Sequence, residues 1–238
     1  MEASPIPKYN SISLHAGCVE ILVGKNAKMR YSSVENWSLN TYNLNTKRAI
    51  VEERGLMEWV SWNLWSGATM LYPCSVLKWD YSKADNLSVV LASKNQNQDV
   101  GAKVIHLGKY TSSNIISKSI STQGGISTYR WLVKIAKNAE WAISGVNCDA
   151  LLLDDKSVSK TIPVIESENA DAIVSHEASA GKVDEHQIFY LMSRGLEEEK
   201  AMSLLVNGFI SGVVKQLPLE YAWELNRLIE LEMEGSVW

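Results

Sequence analysis

The sequence predicts an all-β body followed by a small helical unit. Short apolar or alternating runs recur at roughly ten-residue spacing from about residue 12 to residue 182, with no helical pattern between them. After Lys182 the apolar spacing changes to i, i+3, i+4, the period of a helix face. A hydrophobic content of 46% is ordinary for a folded chain with a real core.

Taken in order, the strand runs are CVEILV (18–23), AKMRYSSV (27–34), ATMLYP (68–73), LSVVLAS (87–93), AKVIHLG (102–108), NIISKSIS (114–121), YRWLVKI (129–135) and DALLLDD (149–155), separated by Asn, Gly, Ser and Lys clusters. Periodicity leaves sandwich, barrel and β-solenoid open. No repeat of fixed period and no low-complexity segment is visible. In the tail, Ile188, Leu191 and Met192, then Ala201, Leu204, Leu205 and Phe209, then Tyr221, Leu225, Leu228 and Ile229 fall at helical spacing. Asp184 and Gln187 fit a capping box, Gly195 a helix stop and Pro218 the first turn of a last helix. The expected domains are a β body over 1–182 and a helical unit over 183–238.

Lys plus Arg total 23 against 27 Asp plus Glu, a formal charge of −4 that gives no electrostatic reason to expect nucleic acid or an anionic membrane as partner. The opening MEASPIPKYNS has no basic or apolar leader region, and no window approaches the roughly 18 apolar residues of a membrane span. The expected location is the cytoplasm, or the plastid stroma for an organelle-encoded chain. Cys18, Cys74 and Cys148 are odd in number and widely spaced, which argues against a disulfide framework and a self-contained zinc site. HLGKYTSS is not a phosphate-binding loop, because Tyr110 follows Lys109 and Lys103 stands where the first glycine belongs. The usual hydrolase, zinc-protease and dinucleotide motifs are also missing, so a conventional enzyme is not expected. Two polar pairs end apolar runs and carry donor atoms suited to a soft or borderline metal: Cys148 with Asp149, and His176 with Glu177. Neighbours on a regular strand face opposite sides, so His176 and Glu177 would share one ion only where the strand bends. Three scattered cysteines exclude a four-Cys iron-sulfur cage within one chain.

The words HAGCVEILVGKNAKMRYSSVENWSLNTYNLNTKRA (15–49), GAKVIHLGKYTSSNIISKSIS (101–121), YRWLVKI (129–135), NCDALLL (147–153), HEASAGKVDEHQIFYLMSRGL (176–196), VNGFI and LEMEGSV resemble the SufB family, scaffold subunits of the SUF iron-sulfur assembly system. The resemblance runs over nearly the whole chain. It implies a right-handed parallel β-helix core followed by a helical C-terminal domain. It also implies a non-enzymatic scaffold, on which a transient 4Fe-4S or 2Fe-2S cluster is built from iron and persulfide sulfur and then released to apo-proteins. The implied partners are SufD or a second SufB, the SufC ATPase, and a cysteine desulfurase with its sulfur shuttle; reduced flavin is a candidate electron source in the complex. Cys148 matches the family cysteine taken to accept sulfur and hold the cluster, and His176 and Glu177 match the pair implicated in cluster formation. The tail implies SufC docking, through Arg194 and an apolar stripe of Leu204, Leu205 and Phe209 continuing to Val213. The competing readings are a SufD-like structural partner without a cluster site and a β-solenoid carbohydrate-active enzyme; the latter needs an outward ladder of carboxylates that the sequence does not display.

The departures from the family are specific. A family YPSC reads YPCS here, so Cys74 comes one residue early and Ser75 stands at the matching position; on a strand, one residue means the other face. Cys18 falls at an apolar position and is expected in the core. The N-terminal region of typical members is absent, as in a fragment or a split gene. Trp62, Trp65, Trp79, Trp131 and Trp238 stand where the resembled sequences carry Gly, with Trp141 a further candidate, whereas Trp37 and Trp59 match family tryptophans. Indoles are expected to fit poorly at glycine corners, which implies UGA codons read as Gly in the source organism. The nucleotide sequence decides this: UGG at all of these positions means genuine tryptophans.

Overall fold

The computed structural model describes residues 2–3, 11–215, 222–223 and 227–230. Pro218, Tyr221, Leu225 and Trp238 lie outside the described residues. Fifteen strands come first: β1 (Glu2–Ala3), β2 (Ser13–His15), β3 (Cys18–Val23), β4 (Lys28–Asn36), β5 (Thr41–Val51), β6 (Leu56–Trp65), β7 (Ala68–Leu71), β8 (Cys74–Leu77), β9 (Lys83–Ala92), β10 (Asn97–His106), β11 (Ser112–Ser121), β12 (Ile126–Ile135), β13 (Ile143–Leu152), β14 (Val158–Ser167) and β15 (Ile173–Lys182). Two helices follow, α1 (Glu185–Ser193) and α2 (Glu198–Val214), and residues 227–230 are again helical.

The chain winds alternately through two parallel sheets. One has the order β1-β4-β6-β9-β11-β13-β15; the other runs β14-β12-β10-β7-β5-β2, with β3 beside β5 and β8 beside β10 and β5. Parallel pairing of strands that alternate between sheets excludes a hairpin-built sandwich or barrel and leaves a β-solenoid, here of about six turns. Lys28 pairs with Leu56, Leu56 with Lys83, Lys83 with Ser112 and Ser112 with Ile143. Successive coils in this sheet are thus separated by 27, 28, 29 or 31 residues, and in the other by as few as 26 and as many as 32. The repeat is real in space but its length drifts at the corners, which is why no fixed period appears in the sequence.

One face of every coil points inward, and a single apolar cluster takes Met57, Trp59, Ala84, Val90 and Ile115 from one sheet and Ala49, Leu71, Leu77, Val104 and Trp131 from the other. Full burial of each large member contributes about 1.5–3 kcal/mol. At the N-terminal coils the interior is polar. Lys47, 2% exposed, sits 2.8 Å from Glu35, 1% exposed. Lys47 Nζ also donates to Ser33 Oγ, and Trp37 Nε1 donates to Glu35 Oε2.

Asn26, Arg54, Tyr81, Tyr110 and Trp141 all have positive φ. The first four stack at one corner, each N–H bonded to the carbonyl of the next coil: Asn26 to Glu53, Arg54 to Asp80, Tyr81 to Lys109 and Tyr110 to Glu140. Trp141, at φ 57°, holds a conformation that glycine takes without strain. The corner argument does not extend to Trp62, Trp65 and Trp131: these lie inside β6 and β12 with extended backbone and are buried. What distinguishes Trp62 and Trp131 is a buried indole N–H without a hydrogen-bond partner. Trp37 and Trp59 donate theirs, to Glu35 and Ser75. Trp79 is partly exposed, and its backbone passes so close to Gly108 that a Cβ there would lie 2.3 Å from the Trp79 carbonyl carbon.

Cys18 is exposed, contrary to the core position expected for it. Val19, Ile21 and Val23 take the more buried side of β3, and alternation turns Cys18 outward.

The chain divides into two compact units, Met1–Ala180 and Gly181–Trp238. In the second, Asp184 caps α1 by accepting from the His186 N–H, an N-cap bond to the residue before the Gln187 that the expected capping box would use. Gly195, at φ 93°, ends the helix: its N–H bonds the Met192 carbonyl and the Leu196 N–H bonds that of Leu191, a Schellman closure. The buried side of α2 is Ala201, Ser203, Val206, Ile210 and Val213, so Val213 leaves the expected outward stripe. Leu204 is exposed, and Leu205 and Phe209 are half-buried.

Removing one partner of the interior ion pair leaves the other charged and dry. Lys47→Ala is expected to lower unfolding free energy in urea by about 3–5 kcal/mol. The double change Lys47→Met with Glu35→Leu is expected to recover most of that loss; equal losses in both proteins would show that the pair carries no such constraint.

Candidate functional site

The site is built on the last coils. Cys148 lies on β13, 3% exposed, within the apolar cluster that also holds Val146, Tyr129 and Trp131. It ends a column on the inward face: Ser33 pairs with Ser61, Ser61 with Ser88, Ser88 with Ser117, and Ser117 with Cys148. All four serines are buried. Stacked parallel strands repeat a side chain at the same depth coil after coil, and in the fifth coil sulfur replaces the hydroxyl oxygen.

Burial pushes the Cys148 thiol up to about 12, and the neighbouring Asp149 charge adds to the shift. In the isolated chain the group is therefore a protonated, packed thiol. Tyr129, fully buried beside Cys148 and Ser117, is pushed above its ordinary range for the same chief reason, loss of water.

His176 and Glu177 lie on β15, the last strand of its sheet. Both are exposed. The imidazole meets the edge of the Trp131 ring, with centroids 4.7 Å apart and planes at 64°. Trp131 thus touches His176 and belongs to the same apolar cluster as Cys148, and Cys148 and His176 lie on neighbouring strands, β13 and β15. Glu177 is the next residue on a strand that runs unbroken from Ile173 to Lys182, and it faces the other way. No group of three or more His, Cys, Asp or Glu side chains able to hold a metal ion occurs among the described residues. The chain sets Cys148 and His176 on neighbouring strands, with Glu177 turned to the opposite side from His176.

Asp149 points to the outer face. Its carboxylate accepts from Lys118 Nζ at 2.5 Å and from Ser179 Oγ. Burial works against its charge, but these two donors outweigh it and hold the carboxyl below its usual range. Lys118 and Ser179 escaped the sequence reading, because only the coil register reveals that they flank Asp149.

The shift from YPSC to YPCS has the expected consequence. Ser75 is fully buried and accepts the Trp59 N–H, whereas Cys74 lines an outer cavity of about 390 Å³ with Arg48, Tyr72 and Lys103. Burial raises the Cys74 thiol, with Arg48 and Lys103 opposing.

The helical unit presents further residues named above. Arg194 is the C-cap of α1, its guanidinium 5.2 Å from the Tyr190 ring centre. No residue of α1 is buried, and Phe189, Tyr190 and Met192 are exposed, as is Leu204 on α2.

The family model for the SUF system FeS cluster assembly SufBD core domain matches residues 2–209. This chain belongs to the SufBD family. It is 50% identical over its whole length to the iron-sulfur cluster assembly protein SufB of Bacillus subtilis, of which it covers 51%. It is 50% identical to an iron-sulfur cluster assembly SufBD family protein of Staphylococcus epidermidis, again covering 51%, and 49% identical to one of Mycobacterium leprae, covering 27%. The chain thus spans about half or less of the length of these relatives. The match extends from the β-solenoid through α1 and most of α2. No helix among the described residues is long and apolar enough to cross a membrane.

Thiol accessibility tests the placement of the three cysteines. Iodoacetamide at pH 8, followed by peptide mass spectrometry, is expected to label Cys18 first, Cys74 more slowly and Cys148 only on unfolding or opening of the last coil. Labelling of Cys148 as fast as Cys18 would contradict the buried position.

Proposed function

We propose that this chain supplies the scaffold on which nascent iron-sulfur clusters are assembled before transfer to apo-proteins, with the cluster as cargo. The observation that carries the reading is a buried Cys148 on β13 beside the strand that bears His176, which packs on Trp131 of the same apolar cluster, in the last coils of a SufBD core. A thiolate is the one ligand type here that both attacks sulfane sulfur and holds iron. In sulfur transfer the Cys148 thiolate attacks the outer sulfur of a donor persulfide. A new S–S bond forms on Cys148, the donor S–S bond breaks, and the donor leaves as thiolate. The thiol proton must go first, and approach of iron or exposure to water favours its loss. Cys148, His176 and Glu177 are the proposed ligands; a single thiolate with borderline and hard donors holds a cluster loosely enough to release it. Glu177 joins them when the edge strand rearranges against a partner.

Partners follow from what the fold leaves unfinished. β14 and β15 end their sheets, and Val164, Ile165 and Ile173 on them are exposed. Such an edge suits pairing with another β-solenoid, either SufD or a second SufB. The exposed Phe189, Tyr190, Met192 and Leu204, with Arg194, Leu205 and Phe209 nearby in sequence, suit docking of the SufC ATPase, which supplies the ATP hydrolysis this chain does not. A cysteine desulfurase and its shuttle deliver sulfur, reduced flavin supplies electrons, and the complex works in the cytoplasm or plastid stroma.

The test is anaerobic reconstitution with SufC and SufD partners, iron and a sulfur source, followed by visible absorption and Mössbauer spectroscopy. Wild-type protein is expected to gain a cluster signal and Cys148→Ala to lose it. An equal signal in Cys148→Ala would remove Cys148 from the site and overturn the reading.

A further inference from the structure

β15 is poorly secured for a strand that carries two proposed ligands. It has one sheet neighbour, β13, and every residue from Ser175 to Lys182 is exposed. A slip of one residue would turn His176 outward and Glu177 inward, exchanging the two groups. Apolar burial gives little to prevent it. The side chains on the outer face do more. Lys118 on β11 pairs directly with Asp149 on β13, and Ser179 on β15 reaches the same carboxylate from the other side. Three adjacent strands are thereby joined through one acceptor, with the lysine and the carboxylate each only about a fifth exposed, at 23% and 19%. Hydrogen bonds to a charged group are stronger than neutral ones, and partial burial shields this one from competing water. Ser179 is two residues beyond Glu177 and three beyond His176, while Asp149 follows Cys148, so the bridge is fastened beside each ligand it registers.

We propose that Asp149 is a positioning residue, whose carboxylate, bridged to Lys118 and Ser179, holds the edge strand so that His176 keeps its inward side against Trp131 rather than exchanging places with Glu177. This rests on the reading of Cys148 and His176 as cluster ligands. Asp149 touches neither cargo nor sulfur donor in this role; it acts through the strand.

Hydrogen exchange on the full chain tests the bridge. Asp149→Ala is expected to speed exchange across Ile173–Lys182 by about tenfold, with β9 and β11 unchanged. Alkylation of Cys148 should rise by a similar factor. Asp149→Asn keeps an acceptor oxygen and should restore part of the protection, while Ser179→Ala should loosen β15 without disturbing the Lys118 pair and serves if Asp149→Ala misfolds. In the reconstituted complex, Asp149→Ala should change the Mössbauer spectrum of the cluster, with partial return in Asp149→Asn. Unchanged exchange in β15 overturns the proposal, as does a loosened β15 with an unaltered cluster spectrum. A normal cluster in Cys148→Ala would instead overturn the ligand reading, and the exchange data would still decide whether the bridge holds the strand.

Discussion

The constraint on which the rest depends is that every coil must return the chain to the same register on the strand beneath it. Parallel stacking then converts sequence positions 26 to 32 residues apart into columns of neighbouring side chains. The column Ser33, Ser61, Ser88, Ser117, Cys148 exists only because four successive pairings keep the same face inward. The same rule places Lys118 beside Asp149 and Lys47 beside Glu35 in the interior. Reactivity follows from depth in the coil: Cys148 is dry and protonated, and Cys18, on the outward side of the first coils, is exposed.

That arrangement keeps the Cys148 thiol away from solvent, as the proposed scaffold role requires. A buried thiol resists oxidation and adventitious metal, and it becomes useful only when the last coil is engaged. β14 and β15 suit this because their inward side chains lack a further coil to cover them. Among the polar links between the last coils is the bridge through Asp149 to Lys118 and Ser179.

Much of the fold was legible before the structure. CVEILV became β3 without a residue's change, and Asp184 and Gly195 marked the ends of α1. β14 was not picked out, because VSKTIPVIES mixes charges with a proline that only an edge strand tolerates. The solenoid itself came from family resemblance, since corners of varying length erase the period. In the site, Cys148 and His176 stood out by chemistry, while the opposite facing of Glu177 followed from simple alternation. Lys118 and Ser179 carried no local signal, for their importance arises from register alone. Cys18 was misplaced because it stands where the resembled family carries an apolar residue, whereas the actual facing is set by Val19, Ile21 and Val23.

The most direct test of the central claim, that the last coils gather Cys148 and His176 at one cluster, is electron-nuclear double resonance on the reduced, reconstituted protein labelled with nitrogen-15 histidine. The account predicts a histidine nitrogen coupled to the cluster spin, abolished in His176→Gln. A spectrum with no nitrogen coupling, or one that His176→Gln leaves intact, would contradict it.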